Sequence, residues 1–121
     1  MVFGRGYLSV HSWDIAGDVL SVSLPEDPRL SRELAAVNQL VCRKGGLDVV
    51  LDFSRVEIIS SASIANIVIL NDVLGDFGRK VVLCRVGLAT KCAFTRLGLD
   101  SILNFAKDRV DASAVLRRAQ L

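Results

Sequence analysis

Residues 47–77, LDVVLDFSRVEIISSASIANIVILNDVLGDF, contain the pattern around which the rest of the chain is arranged. The stretch opens with an apolar run over residues 47–53, which contains the adjacent β-branched residues Val49 and Val50 and is interrupted by two aspartates. A run of this length and composition predicts a strand that is buried on both faces. A second apolar patch ends in Ser60 and Ser61, and a long segment without glycine or proline follows. Because serine hydroxyls accept hydrogen bonds from the first turn of a helix, the stretch predicts a strand, a connector and a helix that begins at the serine pair.

The predicted helix is apolar on two opposite sides. At about 100° per residue, one side forms the stripe expected to face the core, which consists of Ile64, Ile67, Val68, Leu70, Leu74 and Phe77. The opposite side carries Ala62, Ala65, Ile69 and Val73, flanked by Asp72 and Asp76. Two interpretations are open: the helix is sandwiched within the fold, or the second stripe is a surface for a partner.

The length and composition favour one soluble domain. A chain of 121 residues forms one ordinary domain without help from a metal or disulfides. No apolar run approaches the roughly 18 residues of a membrane-spanning helix, and the first residues lack the apolar segment of a signal peptide. We therefore expect no membrane span and a cytoplasmic location. With 15 basic and 13 acidic residues, the net charge of +2 does not predict nucleic-acid binding.

Periodicity and turn residues predict the remaining elements. In order, they are a hairpin over residues 7–24 with a turn at Gly17 and Asp18, a helix over 30–42, the central strand over 47–53, the helix from Ser61, a strand over 80–86, a helix over 89–97 that ends at Gly98, a strand over 102–105 and a helix over 111–121 capped by Asp111 or Ser113. The predicted fold class is therefore α/β, in the order β-β-α-β-α-β-α-β-α, with helices packed against a mixed sheet. Residues 1–121 are expected to form a single domain whose core spans about 7–116.

No pattern in the sequence indicates catalysis, a metal site or a cofactor. The only histidine, His11, is expected on a strand, and no serine, cysteine or carboxylate is placed relative to it by a known catalytic spacing. The three cysteines, Cys42, Cys84 and Cys92, lack CxxC spacing, so we expect buried reduced thiols. The aspartates Asp14, Asp48 and Asp52 are not selected as cation ligands by any spacing, and no phosphate-binding glycine motif is present.

Ser60 and Ser61 are the strongest candidates for a functional role. One of them is expected to cap the helix, which does not exclude a second role. A phosphoryl group here would add close to two negative charges at a helix N-terminus, where an anion is tolerated. If the second stripe binds a partner, burying that charge at the edge of the interface costs several kcal/mol of desolvation. The serine would then control binding.

Two stretches of the sequence resemble the STAS domain family, which includes bacterial anti-sigma-factor antagonists and the cytoplasmic tails of sulphate transporters. The run VVLDFSRVEIISSASIANIVIL resembles the family pattern of a strand ending in D-[LF]-S, a connector, D-S-S-G-L-G and a helix. The later run AFTRLGLDSILNF is similar to the family's helix, G-L-D and last strand. The order of elements agrees from about residue 7 to residue 116.

The resemblance implies a phosphorylatable serine at Ser61 and a partner that is both an anti-sigma factor and an ATP-dependent serine kinase. The unphosphorylated antagonist would bind this partner and free the sigma factor, and phosphorylation would break the complex. The chain departs from the family pattern at three positions, because Ser60 replaces an aspartate while Ser63 and Ala65 replace glycines. These departures leave open that Ser60 is modified instead, or that neither serine is.

The sequence therefore predicts a non-enzymatic module that regulates transcription by partner switching. Its expected partner-binding residues are Ser60, Ser61, Ala62, Ala65, Ile69 and Val73. The alternative is a STAS scaffold without phosphorylation, or a ligand-sensing module, in a signalling assembly, and association with further copies of the chain is left open. A third alternative, an enzyme built on the cysteines or His11, lacks an oriented base.

Overall fold

The computed structural model describes residues 12–119, and these form five strands and four α-helices. The strands are β1 (Trp13–Ala16), β2 (Val19–Ser23), β3 (Asp48–Asp52), β4 (Val81–Cys84) and β5 (Asn104–Ala106). The helices are α1 (Arg29–Lys44), α2 (Ser61–Asp76), α3 (Leu88–Arg96) and α4 (Arg109–Ala119), and a short 3-10 turn, Leu99–Ser101, precedes β5. The predicted order of elements is confirmed. The part of the predicted hairpin that includes Tyr7 and His11 lies outside the described residues.

The five strands form one mixed sheet in which spatial order follows chain order. Strands β1 and β2 pair antiparallel around the turn at Gly17, whereas β2, β3, β4 and β5 are parallel. Strands β3 and β4 pair in the register that places Val49 opposite Val81. The consecutive order reflects three successive crossovers through α1, α2 and α3, each of which moves the chain one strand further across the sheet.

The sheet separates two apolar clusters, and β3 contributes to both. Val49 and Leu51 belong to the larger cluster, which is completed by residues of α1, α2 and α3. Val50 belongs to the smaller cluster on the opposite face, together with Ala112 and Leu116 of α4. All five residues of β3 are buried, which confirms the predicted strand with two covered faces. The chain thus changes face of the sheet between β5 and α4.

Two arginines hold the ends of the parallel strands through buried aspartates. Arg79 donates to Asp18 at 2.6 Å and to Asp48 at 2.9 Å, at the start of β3. Arg109 donates to Asp52 at 3.0 Å, at the end of the same strand. Asp48 and Asp52 lie at the two ends of β3, where both are buried and ion-paired. Because they sit at opposite ends of one strand, they do not gather around a cation.

The core stripe predicted for α2 is correct except at Val68, which is half-buried and lies outside the core cluster, and at its end. Ile67, Leu70 and Leu74 are buried, whereas Phe77 lies just beyond the helix and is 47% exposed. The Phe77 ring lies over Gly45, where an added Cβ would come within 3.3 Å of a ring carbon. Gly45 has a φ of 65°, the left-handed conformation that ends α1. Phe77 therefore covers the turn after α1 instead of entering the core.

The predicted first residues of the last strand and the last helix are wrong, and so is the predicted burial of two of the cysteines. The last strand begins at Asn104, after a tight turn that includes Ile102. Helix α4 begins before the two predicted caps, because the Asp108 carboxylate accepts from the N–H of Asp111 at 2.9 Å. All three cysteines are free, but only Cys84 is buried, while Cys42 and Cys92 are exposed. The predicted end of α3 at Gly98 is confirmed, with a φ of 73°.

Candidate functional site

The two serines at the start of α2 have different environments. Ser60 is the N-cap residue, and its hydroxyl oxygen accepts from the N–H of Ser63 at 3.2 Å. The same hydroxyl donates to the Ser63 hydroxyl at 3.2 Å. Ser61 is the first helical residue; its side chain is exposed and makes no hydrogen bond to any of residues 12–119. The hydroxyl that caps the helix therefore belongs to Ser60, and the free one belongs to Ser61.

A carboxylate from a distant part of the chain completes the start of α2. Asp27, in the loop between β2 and α1, accepts from the Ser60 N–H at 2.8 Å and from the Ser63 hydroxyl at 2.7 Å. Ser63 is fully buried, so its hydroxyl depends on this partner. Sequence reasoning missed Asp27, because the only local signal was an aspartate before Pro28 at a helix start. A negative group at this position is favoured by the dipole of α2.

Most of the second stripe of α2 is exposed in the single chain. Ala62 and Ala65 are exposed, and Ile69 is 49% exposed. Val73, at the far end of the stripe, is half-buried and also packs against the core. Helix α2 is therefore not sandwiched within the fold, because the rest of the chain covers only one of its two apolar sides. We refer to Ala62, Ala65, Ile69 and Val73 as the α2 face.

A groove borders the α2 face on the side of α1. This cavity, of about 510 Å³, is lined by Asn38, Gln39, Cys42, Arg43, Ile69 and Val73. The Asn38 side-chain nitrogen donates to the carbonyl oxygen of Asn66 at 3.1 Å. The Asn38 side-chain oxygen is buried and has no hydrogen-bond partner within the described part of the chain. The groove therefore lies beside a buried oxygen of Asn38 that has no hydrogen-bond partner in the described part of the chain, a feature that the periodicity of α1 did not reveal.

The connector before α2 adds a further apolar side chain. Ile58, two residues before the cap, is 79% exposed. The connector is anchored to α3, because the Thr90 hydroxyl donates to the Glu57 carbonyl oxygen at 3.4 Å. An exposed isoleucine on an anchored connector extends the apolar surface beyond the serine pair.

Two kinds of feature are absent from the part of the chain that the structure describes. Among residues 12–119, no three histidine, cysteine, aspartate or glutamate side chains lie together as metal ligands would. No helix in the same range has the length and apolar character needed to cross a membrane. His11, the one histidine considered for catalysis, lies outside the described range.

Comparisons with known proteins identify the fold. The family model of the STAS domain matches residues 31–112. An RsbS structure from Moorella thermoacetica is 18% identical, covers 90% of this chain and 97% of its own, and superposes with a TM-score of 0.77. An anti-sigma-factor antagonist (STAS) domain protein from Planctomyces limnophilus is 14% identical, with coverages of 87% and 96% and a TM-score of 0.75. The Bacillus cell fate determinant SpoIIAA in its phosphorylated form is 12% identical, with coverages of 85% and 96% and a TM-score of 0.66. A search of curated proteins finds no match.

Proposed function

The chain belongs to the STAS domain family, and from that premise we propose that it is an anti-sigma-factor antagonist acting by partner switching. In this proposal it is a non-enzymatic, cytoplasmic bacterial module. The α2 face and the serine pair bind an anti-sigma factor that is also a serine kinase, and phosphorylation of Ser61 releases it. The observation that carries the proposal is the free hydroxyl of Ser61, exposed at the start of a helix whose outer face is apolar.

The hydrogen bonds at the start of α2 favour Ser61 over Ser60 as the phosphate acceptor. A kinase needs a hydroxyl that it can reach and deprotonate. The Ser60 hydroxyl is occupied by two contacts with Ser63, at 3.2 Å each, and phosphorylating it would remove the helix cap. Ser61 has neither constraint. It occupies the first helical position, where a phosphoryl group is compatible with the helix.

The α2 face has the composition of a binding surface. Its alanines let a partner approach the helix backbone closely, and Ile69 supplies an apolar anchor. Ile58 enlarges the apolar area on the connector side. An apolar surface beside a controllable charge is suited to an interaction that must be both made and broken.

The negative charge added by phosphorylation explains why the partner would be released. Asp27 already places a carboxylate against Ser60, the neighbour of Ser61. A phosphoryl group on Ser61 would add about −1.5 to −2 charges beside it. A partner that docks there without a matching cation must desolvate this charge, at a cost of several kcal/mol. Such a cost is sufficient to dissociate a complex of ordinary affinity.

The first experiment is an affinity capture from lysate of the source cell with the wild type and Ser61→Asp, followed by identification of the bound proteins by mass. We expect a serine kinase of the anti-sigma type with the wild type only. Equal capture of the same partners by both proteins would contradict the switch and indicate a constitutive scaffold.

The acceptor is tested with the captured kinase and ATP, by intact mass of the wild type, Ser61→Ala and Ser60→Ala. We expect no phosphate on Ser61→Ala. Ser60→Ala should still be phosphorylated, although losing the cap lowers its free energy of unfolding by about 1 kcal/mol. Undiminished phosphorylation of Ser61→Ala would refute the assignment.

The docking surface is tested with Ile69→Glu and a matched control, Ile102→Glu. The two isoleucines are equally exposed, at 49% and 50%, but Ile102 lies outside α2, in the turn before β5. We expect Ile69→Glu to abolish capture of the kinase and Ile102→Glu to preserve it, both with unchanged circular dichroism. Equal capture by both variants would place the interface elsewhere.

The substitutions at Ser60, Ser63 and Ala65 favour a second candidate, a STAS scaffold or ligand-sensing module in a signalling assembly. These residues replace an aspartate and two glycines of the family pattern, and Ser63 is engaged by Asp27. This alternative predicts no phosphorylation and a mass that rises with concentration above the 13.1 kDa of one chain.

A further inference from the structure

A second cavity lies away from the α2 face, at the carboxyl ends of β4 and β5. It has a volume of about 400 Å³ and is lined by Arg85, Val86, Lys91, Phe105, Ala106, Lys107 and Asp111. The volume falls within the range of about 300–1,000 Å³ that small-molecule sites occupy. None of the lining residues belongs to α2 or to the connector before it.

The topology of the sheet places this cavity at the position where open α/β sheets bind ligands. Helix α3 covers one face of the sheet, and α4, which follows β5, covers the other. The cavity lies where the chain changes face, between Lys91 of α3 and Asp111 of α4. In open α/β sheets, ligands bind in the crevice outside the carboxyl ends of the strands.

The cavity is strongly cationic for a nearly neutral protein. Three of its lining residues are basic and one is acidic, so its walls carry the same excess of two positive charges as the whole chain. Within residues 12–119, the ion pairs involve Arg79 and Arg109, and none involves the three basic residues of the cavity. The cavity therefore offers unneutralised cations to an anion.

Two of the basic residues, Lys91 and Arg85, show a further structural feature. The Lys91 ammonium lies over the Phe105 ring, 4.9 Å from its centroid, so an aromatic contact orients it at the cavity wall. Arg85 follows β4 with a φ of 55° and is the non-glycine residue with positive φ among those described. Such backbone conformations cost free energy and cluster at ligand-binding sites.

We propose that this cavity binds a small, water-soluble molecule that carries a phosphate group. Arg85, Lys91 and Lys107 contact the phosphate, and the remainder of the molecule packs against Val86 and Ala106. Arginine and lysine side chains are the usual phosphate partners in proteins. The proposal is independent of the α2 face and of phosphorylation at Ser61.

The experiment is a titration of the isotopically labelled full chain with phenyl phosphate at constant ionic strength, followed by amide chemical shifts in NMR. Inorganic phosphate and phenol are titrated separately as the two parts of the probe. Lys91→Gln and Lys107→Gln each remove one cation. The backbone N–H of Lys107 donates a hydrogen bond to the Asp111 carboxylate at 3.0 Å, and Lys107→Gln keeps this bond because the side chain takes no part in it. Lys80→Gln is the matched control, since Lys80 is exposed at the amino end of β4.

We expect saturable shifts centred on residues 85–91 and 105–111, with phenyl phosphate binding more tightly than either of its parts. Each cavity variant should raise the Kd about tenfold, the contribution of a hydrogen bond to a charged group. Lys80→Gln should change it by less than about twofold. Shifts that do not saturate, or a Kd unchanged in both cavity variants, would overturn the proposal. So would binding to vesicles of phosphatidic acid and phosphatidylcholine without binding to phenyl phosphate, because the ligand would then be a lipid surface.

Discussion

Asp27 holds the start of α2, and replacing it by alanine tests that arrangement directly. The carboxylate accepts from the Ser63 hydroxyl at 2.7 Å and from the Ser60 N–H at 2.8 Å. Asp27→Ala leaves both donors without their acceptor. Ser63 is fully buried, whereas Ser60 is partly exposed and regains water more easily. An unsatisfied buried donor costs about 1–3 kcal/mol, and loss of an anion at a helix N-terminus adds about 0.3–1 kcal/mol.

We therefore expect Asp27→Ala to lower the free energy of unfolding by about 3 kcal/mol, most of it from the Ser63 donor. The assay is urea unfolding followed by far-ultraviolet circular dichroism, with the slope on urea compared between variants. Ser63→Ala removes that donor and serves as the second arm of a double-mutant cycle. In its background, Asp27→Ala should cost less than in the wild type by about 1–2 kcal/mol, which is the coupling between the two side chains.

Two results would refute this reasoning. The first is a loss below about 0.5 kcal/mol for Asp27→Ala, the range of an ordinary surface substitution. The second is strict additivity of Asp27→Ala and Ser63→Ala, which would mean that the two side chains do not interact in solution. Either result would also weaken the assignment of Ser61 as the free hydroxyl, because that assignment depends on the position of the first turn of α2.

The remaining predictions concern pH and thiol reactivity. Burial raises the pKa of Asp52, but hydrogen bonds from a backbone N–H and from Arg109 outweigh it, and the net pKa lies below 3.8. The stabilisation is therefore present above pH 4 to 5 and lost as the pH falls through the folded pKa. Asp52→Asn should cost about 1–2 kcal/mol in urea unfolding at pH 7. This deficit should shrink toward pH 3, and a deficit independent of pH would contradict the assignment. Burial also raises the pKa of the Cys84 thiol to about 11. Iodoacetamide should therefore alkylate Cys42 and Cys92 in the native protein and Cys84 only after unfolding. Equal alkylation rates of all three cysteines, measured by mass spectrometry, would contradict the burial of Cys84.

Much of the fold could be predicted because its signals are local. The apolar run over residues 47–53 predicts a strand covered on both faces, since a short apolar run of this length, interrupted by only two aspartates, is typical of a buried strand. The serine pair predicts the start of α2, and Gly98 predicts the end of α3, because caps impose specific side chains and backbone angles on single positions. The resemblance to STAS domains supports the same order of elements along nearly the whole chain.

The tertiary structure decided which surfaces and partners these elements acquire. Asp27 and Ser63 are 36 residues apart, and the two arginine clamps join residues that are 57 and 61 apart. Contacts between such distant residues leave no periodic signal in the sequence. A chain segment of that length can bring many different pairs of side chains together, so the sequence does not single out the pair that forms. For the same reason, the helical period showed a second apolar stripe on α2 but not whether the rest of the fold covers it.

The sequence by itself thus determined the elements, their order and the serine pair at the start of α2, since each depends on neighbouring residues. Only the tertiary structure decided that Ser60 caps the helix while Ser61 stays free, because the cap depends on backbone geometry. Only the structure placed Lys91 and Lys107 around one cavity, because Lys91 lies on α3 whereas Lys107 lies in the turn between β5 and α4, and the two segments meet at the carboxyl edge of the sheet.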